Sequence, residues 1–302
     1  MKAIRHIRRV FGLAAALVAV ALGGCGNPVA PAKPRGVITL APHITETVFA
    51  LGQGHRVVAV GSFDDYPPEI AALPKAGGYI DPDLEKISAL NPELIIVQGR
   101  HPKITEYAKL KGVPLLSVPM DSLEGIDKGI GEIGRALGCE KEADELRARI
   151  RAELDEVRES VKGRPRPKVL IITMRHDHTL NTLYTAHGGS FVSELVGVAG
   201  GDNIYADAAT TYPEASKETI VLKAPEVILE FHAGEKLDDA GRQRFVDDWR
   251  QLPSLPAVQN GRVYVITEPH AVRPGPRIGE IARLLAGLLH PGIARNAGAP
   301  AK

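Results

Sequence analysis

Glu85-Lys-Ile-Ser-Ala-Leu-Asn-Pro-Glu-Leu-Ile-Ile96 and Glu218-Thr-Ile-Val-Leu-Lys-Ala-Pro-Glu-Val-Ile-Leu229 are one phrase written twice. In each, Glu leads, Ile follows two residues later, Pro-Glu stands at the seventh and eighth positions after it, and an apolar triplet closes the run. Each reads as a short helix led by an acid, a Pro stop and then a buried strand. The copies lie 133 positions apart, from Glu85 to Glu218. That is too long a period for a solenoid and suits two lobes of similar architecture.

Outward from the repeat, short apolar runs alternate with helical stretches. Val37 to Ala41, Val57 to Val60, Leu94 to Val97 and Val113 to Val118 read as strands. A short helix is expected from Thr45-Glu46 to Leu51, and a longer one over Leu123 to Leu137. After the middle of the chain the rhythm returns. Val169 to Thr173, Val227 to Phe231 and Val263 to Thr267 read as strands, and Ser190 to Val196 and Ile278 to Leu289 as helices. This is the βαβα pattern of parallel sheets covered on both faces. Between the halves, Leu146, Ile150, Leu154, Val157 and Val161 fall on one face of a charged segment from Glu140 to Lys162 that holds no Gly or Pro. One long amphipathic helix is predicted there. The fold class is α/β, with two Rossmann-like lobes joined by a rigid backbone helix and a ligand cleft between them. The expected divisions are 36–138 for the first lobe, 139–163 for the helix, 164–293 for the second lobe and 294–302 for a frayed tail.

The start of the chain is not fold. Lys2, Arg5, Arg8 and Arg9 precede an apolar stretch from Val10 to Leu22, too short for a stable membrane span. It ends in Leu22-Gly-Gly-Cys25, which resembles the lipobox of bacterial lipoproteins. The resemblance implies a signal peptide over 1–24, acylation of Cys25 and a tether over 25–35. The expected location is outside the cytoplasm, held to a bacterial membrane by lipid. Two or more acyl chains anchor stably where one does not. Cys139 is the only other cysteine, so acylation of Cys25 leaves no intramolecular disulfide. With 37 basic and 36 acidic residues, there is no electrostatic case for nucleic acid.

Five stretches together are similar to the class III periplasmic binding proteins of ABC importers. They are Val37-Ile-Thr-Leu-Ala-Pro-His-Ile-Thr-Glu-Thr47, Val60-Gly-Ser-Phe-Asp-Asp-Tyr-Pro-Pro-Glu69, Gly77-Gly-Tyr-Ile-Asp-Pro-Asp-Leu-Glu85, Ala199-Gly-Gly-Asp-Asn-Ile204 and Arg273-Pro-Gly-Pro-Arg277. The similarity runs from about Arg35 to Pro291 and is nearest to the vitamin B12-binding branch. It implies a monomeric receptor that passes a metal chelate to a permease dimer with ATPase subunits. The ligand implied is cobalamin or another corrinoid, with haem or a ferric siderophore as the alternative. It also implies that Glu85 and Glu218 dock on permease arginines. An acid in a first helical turn stabilises the helix in any case.

In open α/β sheets, ligands sit beyond the carboxyl ends of the strands. That rule nominates Pro42, His43, Phe63, Asp64, Asp65, Tyr66, Gln98, Gly99, Arg100, His101, Met174, Arg175, His176, Phe231, His232, Glu268, Pro269 and His270 as lining. Tyr79, Tyr184, Tyr205 and Tyr212 stand in segments that could also reach the cleft. Arg273 suits a bidentate contact with carboxylate or phosphate. Arg277 begins a helix, where a cation is unfavourable, so it calls for a partner, either the ligand or an acid such as Glu268. Six histidines follow strands closely: His43, His101, His176, His178, His232 and His270. Neutral imidazole is a common metal ligand, which makes His43 and His176 candidates to cap the metal of a chelate, or to bind a bare metal ion. Trp249, on a charged helical stretch, is expected at the surface or in lobe packing. Neither a nucleophile elbow nor a phosphate loop occurs, so no enzyme is expected. The one catalytic arrangement to weigh is Ser190 with His187 or His232 and Asp202.

Overall fold

The computed structural model describes residues 35–176 and 178–293. The signal segment, Cys25, the tether as far as residue 34 and the tail from residue 294 lie outside the described residues. No described helix is long and apolar enough to cross a membrane.

The first half runs β1 (Val37–Thr39), α1 (Pro42–Ala50), β2 (Val57–Val60), α2 (Leu84–Leu90), β3 (Leu94–Gln98), α3 (Pro102–Lys111), β4 (Leu115–Val118) and α4 (Leu123–Leu137). The long helix α5 (Glu140–Val161) follows. The second half runs β5 (Lys168–Ile172), β6 (Met174–Arg175), β7 (Leu183–Tyr184), α6 (Phe191–Val198), β8 (Asp202–Asn203), β9 (Glu214–Ala215), α7 (Lys217–Lys223), β10 (Val227–Phe231), α8 (Asp239–Asp248), α9 (Pro256–Gln259), β11 (Val263–Ile266) and α10 (Ile278–Leu289).

Each half builds a four-stranded parallel sheet, in the order β2-β1-β3-β4 and β11-β10-β5-β8. In both, the strand that follows the repeated helix (β3 or β10) pairs with the first strand of its half on one side and the last on the other. The sequence repeat is therefore a repeat of position in the sheet. The helices match in detail. Asp83 and Ser216 are the N-caps, accepting from the backbone N–H of Lys86 and Thr219, and Glu85 and Glu218 follow them by two residues. Both helices end on a left-handed residue before Pro, Asn91 at φ 45° and Ala224 at φ 46°.

The helix predicted over Glu140 to Lys162 forms over Glu140–Val161. Its apolar stripe, with Ala143 added, is buried. It packs on α4 and on α10. Close approach to α4 depends on Gly134, where a Cβ would stand 2.4 Å from that of Ala143. A single core runs from Val37 and Ile96 of the first sheet, through the α5 stripe and α10, to Ile171 and Leu229 of the second. Smaller cores cover the outer face of each sheet. Interiors packed in this way transmit strain and resist sliding, so the two halves are joined by more than a linker.

Helix α1 begins three residues before the expected Thr45. Pro42 takes its first turn, where a missing N–H costs nothing. That shift places Glu46 one turn inside the helix rather than at its start. Of the two places expected for Trp249, it takes packing within the second half rather than the surface: it is fully buried in the outer core there, with its indole N–H donating to Glu230 at 2.8 Å.

Candidate functional site

A cleft of about 560 Å³ opens where the carboxyl ends of the two sheets face each other. From the first half it is lined by Leu40 to His43, Gly61 to Asp65, Tyr79, Gln98, Met120 and Asp121. From the second half it is lined by Phe191, Tyr212, Ala233, Gly234, Pro269 and Val272 to Pro274. Of the residues nominated by sequence, it brings together Pro42, His43, Phe63, Asp64, Asp65, Gln98, Tyr79, Tyr212, Pro269 and Arg273.

The aromatic side chains at the mouth are left uncovered. Phe63 is 75 % exposed, Tyr79 42 % and Tyr212 53 %. Tyr79 is held by its hydroxyl, which donates to the Gln98 carbonyl at 3.2 Å, and by edge contact with the His101 ring. Partial enclosure of its ring in the cleft, and then the charge of Asp121, raise the pKa of Tyr212. Tyr79 stands six residues before Glu85, and Tyr212 six residues before Glu218. The repeat therefore reaches back into the cleft, each half setting one tyrosine there.

Arg273 is the one cation among the described residues that line the cleft, and it is engaged. Its Nη1 and Nη2 donate to the two carboxylate oxygens of Asp65 at 2.5 and 2.9 Å, and Nη1 also to Glu46 at 3.2 Å. Glu46 is almost fully buried and accepts two further bonds from Arg277, at 2.6 and 2.8 Å. The guanidinium of Arg277 also lies 4.2 Å from the centroid of the Tyr66 ring. Glu46, not Glu268, is thus the partner that Arg277 needs. These pairs join α1 and the Asp65 loop to the start of α10, across the two halves. Gly275 makes the approach possible, since a Cβ there would stand 3.0 Å from His43 Cβ. A second tie lies between α4 and α6. Phe191 N–H donates to Asp121 O at 2.8 Å, and Leu123 N–H to the Glu194 carboxylate at 2.6 Å.

Asp64 sits on the cleft floor, itself buried. One oxygen accepts from the Thr45 hydroxyl, which is linked in turn to Thr39 at 2.6 Å. The other oxygen has no protein partner. Burial pushes the Asp64 carboxyl up to about 6, against the pull of Thr45, Lys75 and Arg273. Burial, and then the charge of Arg273, push His43 down to about 3. The signs of the two linkages differ. The folded protein keeps the Asp64 proton up to about pH 6, whereas the unfolded chain releases it near 3.8, so this group's contribution to stability is lost as pH rises through that window. His43 is neutral in the fold but protonated in the unfolded chain below 6.5, so its contribution is lost as pH falls. Comparison with Asp64→Asn isolates the first effect. The variant should gain on the wild type by up to ~3 kcal/mol between about pH 4 and pH 7 in urea unfolding. A difference that does not change with pH would refute the assignment.

The remaining nominated residues are placed elsewhere. Arg175 is buried and ion-paired with Glu230 at 2.5 Å and Asp248 at 2.9 Å. His232 lies between Glu230 and Glu235, at 2.7 and 2.9 Å. Burial opposes its protonation, yet those two acids outweigh burial and raise its pKa. Phe231 is buried in the core. His101 caps α3, Nδ1 accepting from Ile104 N–H at 3.4 Å. His176 and Arg100 are exposed, and neither lines the cleft. His178 stacks on Phe245 and contacts Asp248. His270 contacts Glu280 at 3.4 Å. Tyr66 underlies Arg277, Tyr205 is buried in the second outer core and Tyr184 pairs within β7. The six histidines do not converge on the cleft, where only His43 contributes, and its Nε2 is closed off from solvent. The reason lies in the second half. After β5 the chain turns into a small antiparallel sheet, β6-β7-β9, and the end of β10 closes on the Glu230 network. Ser190 is spent as the N-cap of α6, its hydroxyl donating to His187 O.

Comparison with known proteins agrees with this architecture. The periplasmic binding protein family matches residues 37–269. A vitamin B12-binding protein of Vibrio parahaemolyticus is 31 % identical over 246 residues, covering 80 % of this chain and 84 % of its own. An uncharacterised ABC transporter substrate-binding lipoprotein of Bacillus subtilis, YvrC, is 28 % identical over 309 residues, covering 91 % and 95 %. The solved periplasmic haem-binding protein RhuT from Roseiflexus sp. RS-1, in its apo form, superposes with a TM-score of 0.70 at 28 % identity, covering 84 % of this chain and 97 % of its own. With more than half of its length matched by the family, and with relatives that are solute-binding proteins, this chain belongs to the periplasmic binding proteins, the solute receptors of ABC importers, a family of binding proteins rather than of enzymes.

Proposed function

We propose that this protein captures a corrinoid, such as cobalamin, and delivers it to an ABC importer while anchored to a membrane through acylated Cys25. The charge of the cleft carries the choice of ligand. Its aromatic rim suits a large planar ligand. Its one cation is already paired with Asp65 and Glu46, and Asp64, Asp65 and Asp121 also line it. Haem brings two carboxylates, which meet acids and, among the described residues of the lining, no free cation. A corrinoid edge brings neutral amides, whose N–H groups suit Asp121, Gln98 and the tyrosine hydroxyls. His43 then serves as lining rather than as a metal ligand, since its Nε2 faces no solvent. The lipoprotein reading rests on Leu22-Gly-Gly-Cys25 and on the likeness to a substrate-binding lipoprotein.

Glu85 and Glu218 are the proposed contacts with the permease. Both are exposed and occupy equivalent places in the two halves.

Titration of the soluble form with cyanocobalamin, haemin and a ferric siderophore tests the reading. Calorimetric binding of cyanocobalamin, at least tenfold tighter than haemin, is the expected result. Tighter binding of haemin with a shifted Soret band would transfer the assignment to haem.

A further inference from the structure

We infer that Asp65 is a specificity-determining residue whose carboxylate occupies the Arg273 fork and so excludes ligands recognised through a carboxylate of their own. This rests on the reading of the cleft as a macrocycle site. Arg273 presents a planar, two-pronged donor of the kind that receives carboxylates. In this protein the second carboxylate is built in. Asp65 takes both prongs at the cleft wall, from a side chain that is itself half exposed. The pairing with Arg273 holds the Asp65 carboxyl below its ordinary pKa, so it stays charged and in competition. A tethered competitor acts at an effective concentration of millimolar or higher. A ligand carboxylate must displace it, and doing so leaves Asp65 unpaired in a cleft that Asp64 and Asp121 also line. The gain of the new pair is offset by the loss of the old one. A neutral ligand meets no such competition. Glu46 belongs to the support and not to the filter, since it is buried behind Arg273 and shared with Arg277.

The test uses haemin and haemin dimethyl ester, which differ in whether the two carboxylates are free. The quantity read is the ratio of the ester's Kd to that of the free acid, from visible absorbance titrations. In the wild type the ratio should be near or below one. In Asp65→Ala it should rise on the order of tenfold, as the vacated fork receives a ligand carboxylate. Asp65→Asn, which keeps the shape, should fall between them and stands in if the alanine variant fails to fold. Adding Arg273→Gln to Asp65→Ala should return the ratio to the wild-type value. An unchanged ratio in both single variants, or no haemin bound by either, would overturn the inference. A wild type that ignores cyanocobalamin would sink the corrinoid reading, yet the ratio would still report on Asp65.

Discussion

Replacing Glu230 with alanine is expected to cost ~3–5 kcal/mol of stability, a large part of what holds a domain of this kind together. Glu230 is fully buried near the end of β10. It accepts from Arg175 at 2.5 Å, from Trp249 at 2.8 Å and shares a bond with His232 at 2.7 Å. The Arg175 side chain has no exposure at all. Without Glu230 its charge keeps, among the described residues, the Asp248 carboxylate, the backbone carbonyls of Thr179 and Phe245, and the face of the Phe245 ring. A buried cation left short of a partner costs far more than the pair contributes when intact. The contrast is therefore with a double replacement. Glu230→Leu with Arg175→Met removes both charges together and should recover most of the loss. Trp249 is the only tryptophan and donates directly to Glu230, so its fluorescence reports unfolding and the state of the network at once. A Glu230→Ala protein that unfolds in urea within 1 kcal/mol of the wild type would show that the network is not holding the second half together.

That network also explains where the sequence could and could not be read. Helix α5 and most strands were legible because one face of each is apolar at a fixed period, and burial follows period. The cleft was legible in part, because strand ends converge wherever a parallel sheet is two-sided. The rule reached Pro42-His43, the Phe63 loop, Gln98 and Pro269. Applied to the end of β4 it would also have reached Met120 and Asp121. It misplaced Arg175, His176, Phe231 and His232 because the segments after β5 and β10 are taken up by an antiparallel sheet and a buried ion cluster. Neither leaves a periodic trace. Arg273 meets Glu46 and Asp65 across more than 200 residues. Charge pairing at that separation depends on the finished fold. The exposed tyrosines had a signal of another kind, the repeat itself, which continues six residues before each acid.

The repeat also sets the last expectation. Glu85→Ala combined with Glu218→Ala should abolish uptake while ligand binding and stability stay close to wild type. Each acid lies in the first turn of a seven-residue helix and is exposed. Its loss from the free protein removes at most the favourable interaction with the helix dipole, ~0.3–1 kcal/mol. The N-caps Asp83 and Ser216 remain to hold the helices. On the proposed docking, the same acid would be partly desolvated against a permease arginine, where losing one partner of such a pair costs ~2 kcal/mol or more. Two sites together remove roughly 4 kcal/mol, about a thousandfold in affinity for the transporter. Each single variant should then weaken uptake without ending it, because one half still docks. Charge reversal to Lys at either site should be worse than Ala, since repulsion replaces attraction. Uptake in cells carrying the importer, set beside calorimetry on the purified receptor, separates the two functions. Lost ligand binding in the double variant would mean that the acids support the cleft, and unimpaired uptake would mean that the permease reads another face.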